Sequence, residues 1–319
     1  MFGGKRATQK LFGWPYYLAQ DLIRPYISRY LRSRSGDLLV VDANSWVGLF
    51  AHLEWFLEIS LYCDQQGITP CFMSTSAQYV DERRGPNWFD YFFENLRISP
   101  DQRARIAGGD VPVCRIDGVR QLGLPDNYDP QLTLNNAPGL VRKYIGIKKE
   151  FLDKVEQFFS KNINNKYTLG VHYRGTDKNT EVQMVNYKSF IDMVISLLEE
   201  SRKFDCIFVS SDEQKFIDFI ENSFKHRLPV VFHDDTERST TTTAIHRSGS
   251  GDRYRKGEEA VMNCLLLSKC DALIKTPSIL SGWSKLFNPD LPVTMVGRPF
   301  ERALWFPDRD LISTGHGKV

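Results

Sequence analysis

Four side chains able to do chemistry crowd into one short run, His172-Tyr173-Arg174-Gly175-Thr176-Asp177-Lys178. His172 brings a ring nitrogen, Arg174 a guanidinium, Asp177 a carboxylate and Lys178 an ammonium. Arginine's planar fork is suited to bidentate capture of phosphate or carboxylate. The run continues Tyr167-Thr168-Leu169-Gly170-Val171, a short apolar segment bounded by helical patterns, which reads as a buried parallel strand. Side chains two apart on a strand share a face, so His172 and Arg174 point the same way. Asp177 and Lys178 fall in the turn just beyond. In open parallel sheets, ligands sit in the crevice outside the carboxyl ends of the strands. Such polarity at the end of a buried strand is costly unless it pairs internally or meets a ligand. The expectation is an anionic ligand.

The elements that must hold this run alternate through the second half of the chain. Strands are expected at 167–173, 205–210, 228–232, 271–275 and 292–296. Helices are expected at 187–202, 213–223 and 255–269, with a short one near 280–286. That order demands a parallel sheet covered by helices on both faces. Asp212 closes the second strand, and serves either as a helix N-cap or as a ligand-facing group. Between strand 228–232 and helix 255–269 runs a loop of about 20 residues, and loops of that length are often lids. Arg247, Arg253, Arg255 and Lys256 are expected to close it over a diphosphate. Asp234 and Asp235, in the same loop, read as a solvated pair rather than as metal ligands.

The first half opens with a βαβ unit: strand 37–42, a turn through Gly48, helix 49–66 stopped by Gly67, and strand 68–73. The turn has too few glycines for a dinucleotide fingerprint, which argues against a Rossmann oxidoreductase. Trp88, Tyr91 and Phe92 form either a sugar platform or, from their helical spacing, part of the core. Residues 140–159 read as one long helix. The polar break over 161–166 marks the best domain boundary, giving α/β units over 1–162 and 163–298 and a tail over 299–319 packing back across both.

Composition sets broad limits. A chain of 319 residues is long for one compact core, and two domains are the natural expectation. Hydrophobic content of 42% with 25% charged residues fits a soluble globular protein, and a net charge of +2 gives no argument for nucleic acid. Basic residues do gather in the first 35, where Lys5, Arg6, Lys10, Arg24, Arg29, Arg32 and Arg34 face only Asp21. Interleaved with aromatics, they read as a solvated basic face or as an interfacial segment on an anionic membrane. No secretory signal peptide and no apolar stretch of about 18 residues is present. The six cysteines contain no CxxC pair and read as small buried hydrophobes in a reducing compartment. The expected location is cytoplasmic, with peripheral contact at the inner face of a membrane.

The run from His172 to Lys178 resembles the HxRxxD motif of α-1,6-fucosyltransferases and protein O-fucosyltransferases, in particular the rhizobial nodulation fucosyltransferase (NodZ) group and its bacterial relatives. Ile207 to Asp212, and Lys256 through Ser278, are similar to the family's following strand and its donor-site helix and strand. The likeness covers roughly residues 165–298. It implies an α/β, GT-B-like fold: two Rossmann-like domains facing a donor/acceptor cleft. It further implies an inverting transferase that uses GDP-fucose, requires no metal or other cofactor and acts on a glycan or lipid-linked oligosaccharide. In that frame Arg174 holds the diphosphate, His172 lies near the nucleotide, Asp177 orients the loop, the hydroxyl or backbone N–H groups of Ser278 and neighbours such as Thr276 bind at the following turn, and Asp212 belongs to the donor site. Some relatives place a glutamate shortly after the motif as catalytic base, partnered by its lysine; here Glu181 follows Lys178 one residue early. Where those enzymes carry an acid that accepts both guanine N–H groups, this chain has Asn263, which offers one acceptor. Glu259, one helical turn before it, is expected to supply the other. Two other readings stand beside this one: a transferase using another nucleotide sugar, and a catalytically silent sugar-nucleotide or glycan-binding protein.

Overall fold

A computed structural model describes residues 36–121, 124, 128–175, 181–201, 203–233, 238, 252–313 and 317–318. The basic segment 1–35, the motif residues Asp177 and Lys178, the acid pair Asp234 and Asp235, and Arg247 all lie outside the described residues.

In the first half, β1 (Leu38–Asp42), α1 (Leu49–Gln66) and β2 (Thr69–Met73) form the expected βαβ unit, and β1 and β2 pair in parallel. Gly67 ends α1 in the left-handed conformation, at φ 65°, and its N–H reaches back to the Cys63 and Asp64 carbonyls. A side chain there would be strained, so glycine makes the stop. Next come α2 (Phe89–Phe92), β3 (Phe93–Asn95), α3 (Pro100–Ala107), β4 (Val113–Arg115) and α4 (Ile116–Gln121). Strand β4 joins β1 on its other edge, giving the order β2-β1-β4. Trp88 and Phe92 are buried completely and Tyr91 nearly so, which makes this block core and removes the sugar-platform reading.

The long helix expected over 140–159 is broken. The chain forms α5 (Ala137–Tyr144), β5 (Ile145–Ile147) and α6 (Lys149–Asn162). Ile145 and Ile147 are β-branched and flank a glycine, which favours an extended segment over a helix interior. Strand β5 pairs antiparallel with β3. A Cβ on Gly146 would lie 2.7 Å from Leu96 Cδ2, so a larger residue there would require the Leu96 side chain to move.

In the second half, β6 (Thr168–Tyr173), α7 (Tyr187–Ser201), β7 (Cys206–Ser211), α8 (Gln214–Phe224), β8 (Val230–Phe232), α9 (Arg253–Ser268), β9 (Ala272–Lys275), α10 (Ile279–Phe287) and β10 (Val293–Val296) alternate as expected. After them come α11 (Asp308–Ser313) and the short β11 (Gly317–Lys318). The sheet order is β11-β10-β9-β6-β7-β8, and every pairing in it is parallel. Alternation along the strands decides which residue meets which layer. Val171, Ile207 and Val209 pack with Phe190 of α7 and Phe216 of α8 on one face. Phe208 and Met295 turn to the other face, against Leu265 of α9 and Trp283 of α10. That second layer is continuous with the first half, because Leu39, Phe56 and Phe72 belong to the same cluster. Residues past 300 touch both halves. Arg309 donates to the Asp129 and Leu132 carbonyls at 3.0 and 2.9 Å, while Asp308 is buried against Lys275.

Candidate active-site cleft

Strand β6 lies between β7 and β9, with His172 level with Ser210 on one side and Lys275 on the other. All three strands run parallel, so their carboxyl ends open on one edge. His172 and Arg174 both line a cleft of about 590 Å³ there. Tyr173, between them, points into the opposite layer and stacks on Phe216 at 4.4 Å. The shared face expected of a two-residue spacing is thus what the strand delivers.

Arg174 is held from two sides. Its backbone N–H donates to Thr276 Oγ1 at 2.8 Å, and its Nη1 lies 3.0 Å from Asp212 Oδ2. The other oxygen of Asp212 accepts the Gly175 N–H at 3.1 Å. Asp212 is therefore not a helix cap. Helix α8 starts at Gln214 with Glu213 in the N-cap position, and the Asp212 carboxylate turns back to fasten the motif loop. Thr276 does not itself line the cleft. Its N–H donates to the His172 carbonyl at 3.0 Å, so it positions the loop from behind.

His172 is buried, and burial together with the Lys275 and Arg174 charges pushes its pKa well below the ordinary histidine value. It stands as a neutral imidazole, and its Nδ1 has no hydrogen-bond partner among the described residues. Ser278 also lines the cleft, but its backbone N–H is already bonded to Asp308 Oδ2 at 2.8 Å. That N–H is thus engaged within the fold. Lys275 is fully buried, paired with Asp308 and bonded to the Ser278 carbonyl at 3.0 Å.

Arg253, Arg255 and Lys256 stand in the first turn of α9 rather than in a lid loop, because Asp252 caps the helix by accepting the Arg255 N–H. Of the three, only Lys256 lines the cleft. Arg255 is turned along the helix, its Nε 3.0 Å from Glu259 Oε1. Glu259 and Asn263, one turn apart, are both buried and both reach the cleft, whereas Glu258 pairs outside it with Lys154. Glu181 lines the same space. Its carbonyl accepts the Phe300 N–H at 2.8 Å, and the neighbouring Val182 bridges to Pro299.

The first half supplies the rest of the wall: Trp46, the start of α1, Glu54, Glu58, Tyr79 and Asp129. The Tyr79 hydroxyl accepts the Leu49 N–H at 3.0 Å, and burial pushes its pKa up to about 12. Glu54 is fully buried. Burial first, then the nearby Glu58, raise its pKa well above the ordinary carboxylate value. Sequence reasoning passed over these acids. Their signal was an i, i+4 glutamate pair inside an otherwise apolar helix.

No protein-family model and no curated protein matches the sequence. Solved structures do match in fold. NodZ α-1,6-fucosyltransferase co-crystallised with GDP superposes with a TM-score of 0.50 at 16% identity, over 82% of this chain and 96% of that one. The same enzyme soaked with GDP-fucose gives 0.50 at 15% identity, over 81% and 94%. A mutant of Arabidopsis thaliana FUT1 in complex with GDP gives 0.51 at 11%, over 92% and 80%. The fold is GT-B-like. The six-stranded and three-stranded parallel sheets are its two Rossmann-like units, and the cleft described above lies between residues of both.

Proposed function

We propose that the chain is an inverting, metal-independent glycosyltransferase that moves fucose from GDP-fucose to a hydroxyl of a glycan or lipid-linked oligosaccharide. The observation that carries this reading is Arg174, fixed by Thr276 and Asp212 at the carboxyl end of a central strand with its side chain on the cleft. The GDP and GDP-fucose bound to structures of similar fold support it.

In this reading the diphosphate lies against Arg174 and Lys256, and guanine against Glu259 and Asn263. The acceptor oxygen attacks the anomeric carbon on the face away from the diphosphate. The bond from that carbon to the diphosphate oxygen breaks, and its electron pair leaves with GDP. Glu181 takes the acceptor proton; the roles of Lys178 as its partner and of Asp177 in orienting the loop rest on the motif's family resemblance alone. Fixed cations aimed at the leaving group stabilise its developing charge without reorganising during the reaction. Two of them on one wall supply the charge balance otherwise given by a metal. Cytoplasmic action, with residues 1–35 against the inner face of a membrane, belongs to the same proposal.

The test is a panel of nucleotide sugars assayed for transfer and hydrolysis, with calorimetric titration of GDP and UDP. Turnover of GDP-fucose and tighter binding of GDP are expected. Tighter binding of UDP overturns the donor, and nucleotide binding without any turnover returns the protein to a silent binding role.

A further inference from the structure

Glu54 and Glu58 stand one turn apart on α1, and with Asp129 each brings a carboxylate oxygen within 4.8 Å of the others. Both glutamates are only 4% exposed, yet both line the cleft. Their surroundings answer part of this polarity. Trp283 Nε1 donates to Glu54 Oε2 at 3.0 Å, and Arg309 pairs with Asp129. Glu54 Oε1, by contrast, is buried with no hydrogen-bond partner among the described residues. Leaving a buried polar atom unpaired is unfavourable, and such atoms in native folds call for a reason.

The neighbourhood says what kind of group would answer it. Burial and the neighbouring Glu58 both favour the protonated form of Glu54, in which the pair offers an acid O–H next to acceptor oxygens. Adjacent sugar hydroxyls each donate and accept, so they match that set. The Trp46 ring is 74% exposed and the Trp305 ring 44%, and both line the same cleft. Exposed indoles at a cleft offer a broad apolar face with a polar edge, suited to the C–H face of a sugar. The acids disfavour an anionic ligand. A cation is not required, because Arg309 already offsets Asp129, and Arg120, 4.6 Å over the Trp55 ring, adds a second positive charge at the cleft.

We propose that Glu54, Glu58, Trp46 and Trp305 form the acceptor subsite, and that it takes a neutral sugar through vicinal hydroxyls. This rests on the transferase reading above and names the acceptor class for the same cleft.

The experiment is calorimetric titration of the full chain, with and without GDP, using neutral tetrasaccharides of glucose, galactose, mannose and N-acetylglucosamine. Tetragalacturonate serves as the anionic probe and Mg²⁺ and Mn²⁺ as cation probes. At least one neutral tetrasaccharide is expected to bind. Glu58→Gln and Trp46→Ala should each weaken it at least tenfold while GDP affinity stays unchanged, whereas Glu54→Gln, whose amide still offers a donor and an acceptor, should weaken it less. Glutamine keeps the shape and an acceptor for Trp283, and Trp46 lies at the surface, so these variants should fold; thermal melts check that they do. The subsite is overturned if no neutral sugar binds, if binding survives Glu58→Gln and Trp46→Ala, or if only tetragalacturonate or a divalent cation binds in a Glu58-dependent way. GDP binding is read separately. Its loss in the wild type sinks the donor reading, whereas GDP binding without sugar binding sinks the subsite alone.

Discussion

Arg174 Nη1 sits 3.0 Å from Asp212 Oδ2, and the second oxygen of the same carboxylate holds the Gly175 N–H. One acid thus fixes both the guanidinium and the backbone that carries it. Arg174→Lys keeps the charge but loses the planar fork. Both Arg174→Lys and Arg174→Ala should lower kcat/KM on the order of 10²-fold or more if the side chain stabilises the leaving diphosphate. Asp212→Asn should cost less, since the amide oxygen can still accept one N–H. Steady-state kinetics on GDP-fucose decides it, and near-normal turnover by the lysine variant removes the bidentate role.

Glu259 and Asn263 share one face of α9 at the cleft, and Arg255 holds one oxygen of Glu259. In the proposed reading the Glu259 carboxylate is expected to accept a guanine N–H. Glu259→Gln should weaken GDP by about 1–3 kcal/mol through an imperfectly paired base, and UDP by much less. Equal losses for the two nucleotides would place guanine elsewhere.

Activity is expected to persist in excess chelator. The group Glu54, Glu58 and Asp129 makes this a real test, because its geometry is that of a possible cation site. If a chelated, inactive enzyme were restored by Mg²⁺ or Mn²⁺ and Glu58→Gln abolished the rescue, the metal-independent reading would fall.

Lys275 is fully buried, and its ammonium pairs with Asp308, which also binds the Ser278 N–H at the start of α10. Removing one partner of a buried pair leaves an uncompensated charge and typically costs about 3–5 kcal/mol. Asp308→Ala should therefore lower stability by that order in denaturant melts. The double variant Lys275→Met with Asp308→Leu should recover much of the loss. No recovery would show that the pair's backbone contacts, rather than the stranded charge, dominate.

His52 is buried, with its ring edge-on to Trp55 and Trp88, and burial lowers its pKa to about 4. His172 is displaced in the same direction. Below the unfolded value near 6.5 the unfolded chain binds protons that the folded chain refuses, so stability falls as pH drops. For His52 the loss between pH 7 and 5.5 is on the order of 1 kcal/mol, and it continues down to about pH 4. Glu54 works in the opposite sense. Its raised pKa adds stability at low pH that is lost as pH rises through the folded value. Urea melts across this range should show a shallower acid limb in His52→Gln. An unchanged limb would mean that other groups set it.

The second-half sheet was legible because its strands are apolar runs of the right length, separated by strongly periodic helices. His172 and Arg174 were readable together because period two on a strand puts them on one face. The break at Ile145–Ile147 was not, since the flanking residues carry on a helical pattern and only pairing with Phe93–Asn95 reveals the strand. Asp212 had two local roles, and the choice depended on where α8 begins. Glu54 and Glu58 looked like any acid pair one turn apart. Their meaning depends on Asp129 and Trp283, which only the tertiary fold brings near.

The hydrogen bond from Trp283 to Glu54 spans 229 positions of the chain. On a ribosome adding about 5–20 residues per second, α1 would wait roughly 10–50 s for the ring that covers it. Over that interval Phe50 and the Glu54 carboxyl, which the finished protein sets against Trp283, have no such cover. The wall of the cleft made first is thus covered only after most of the chain has been synthesised.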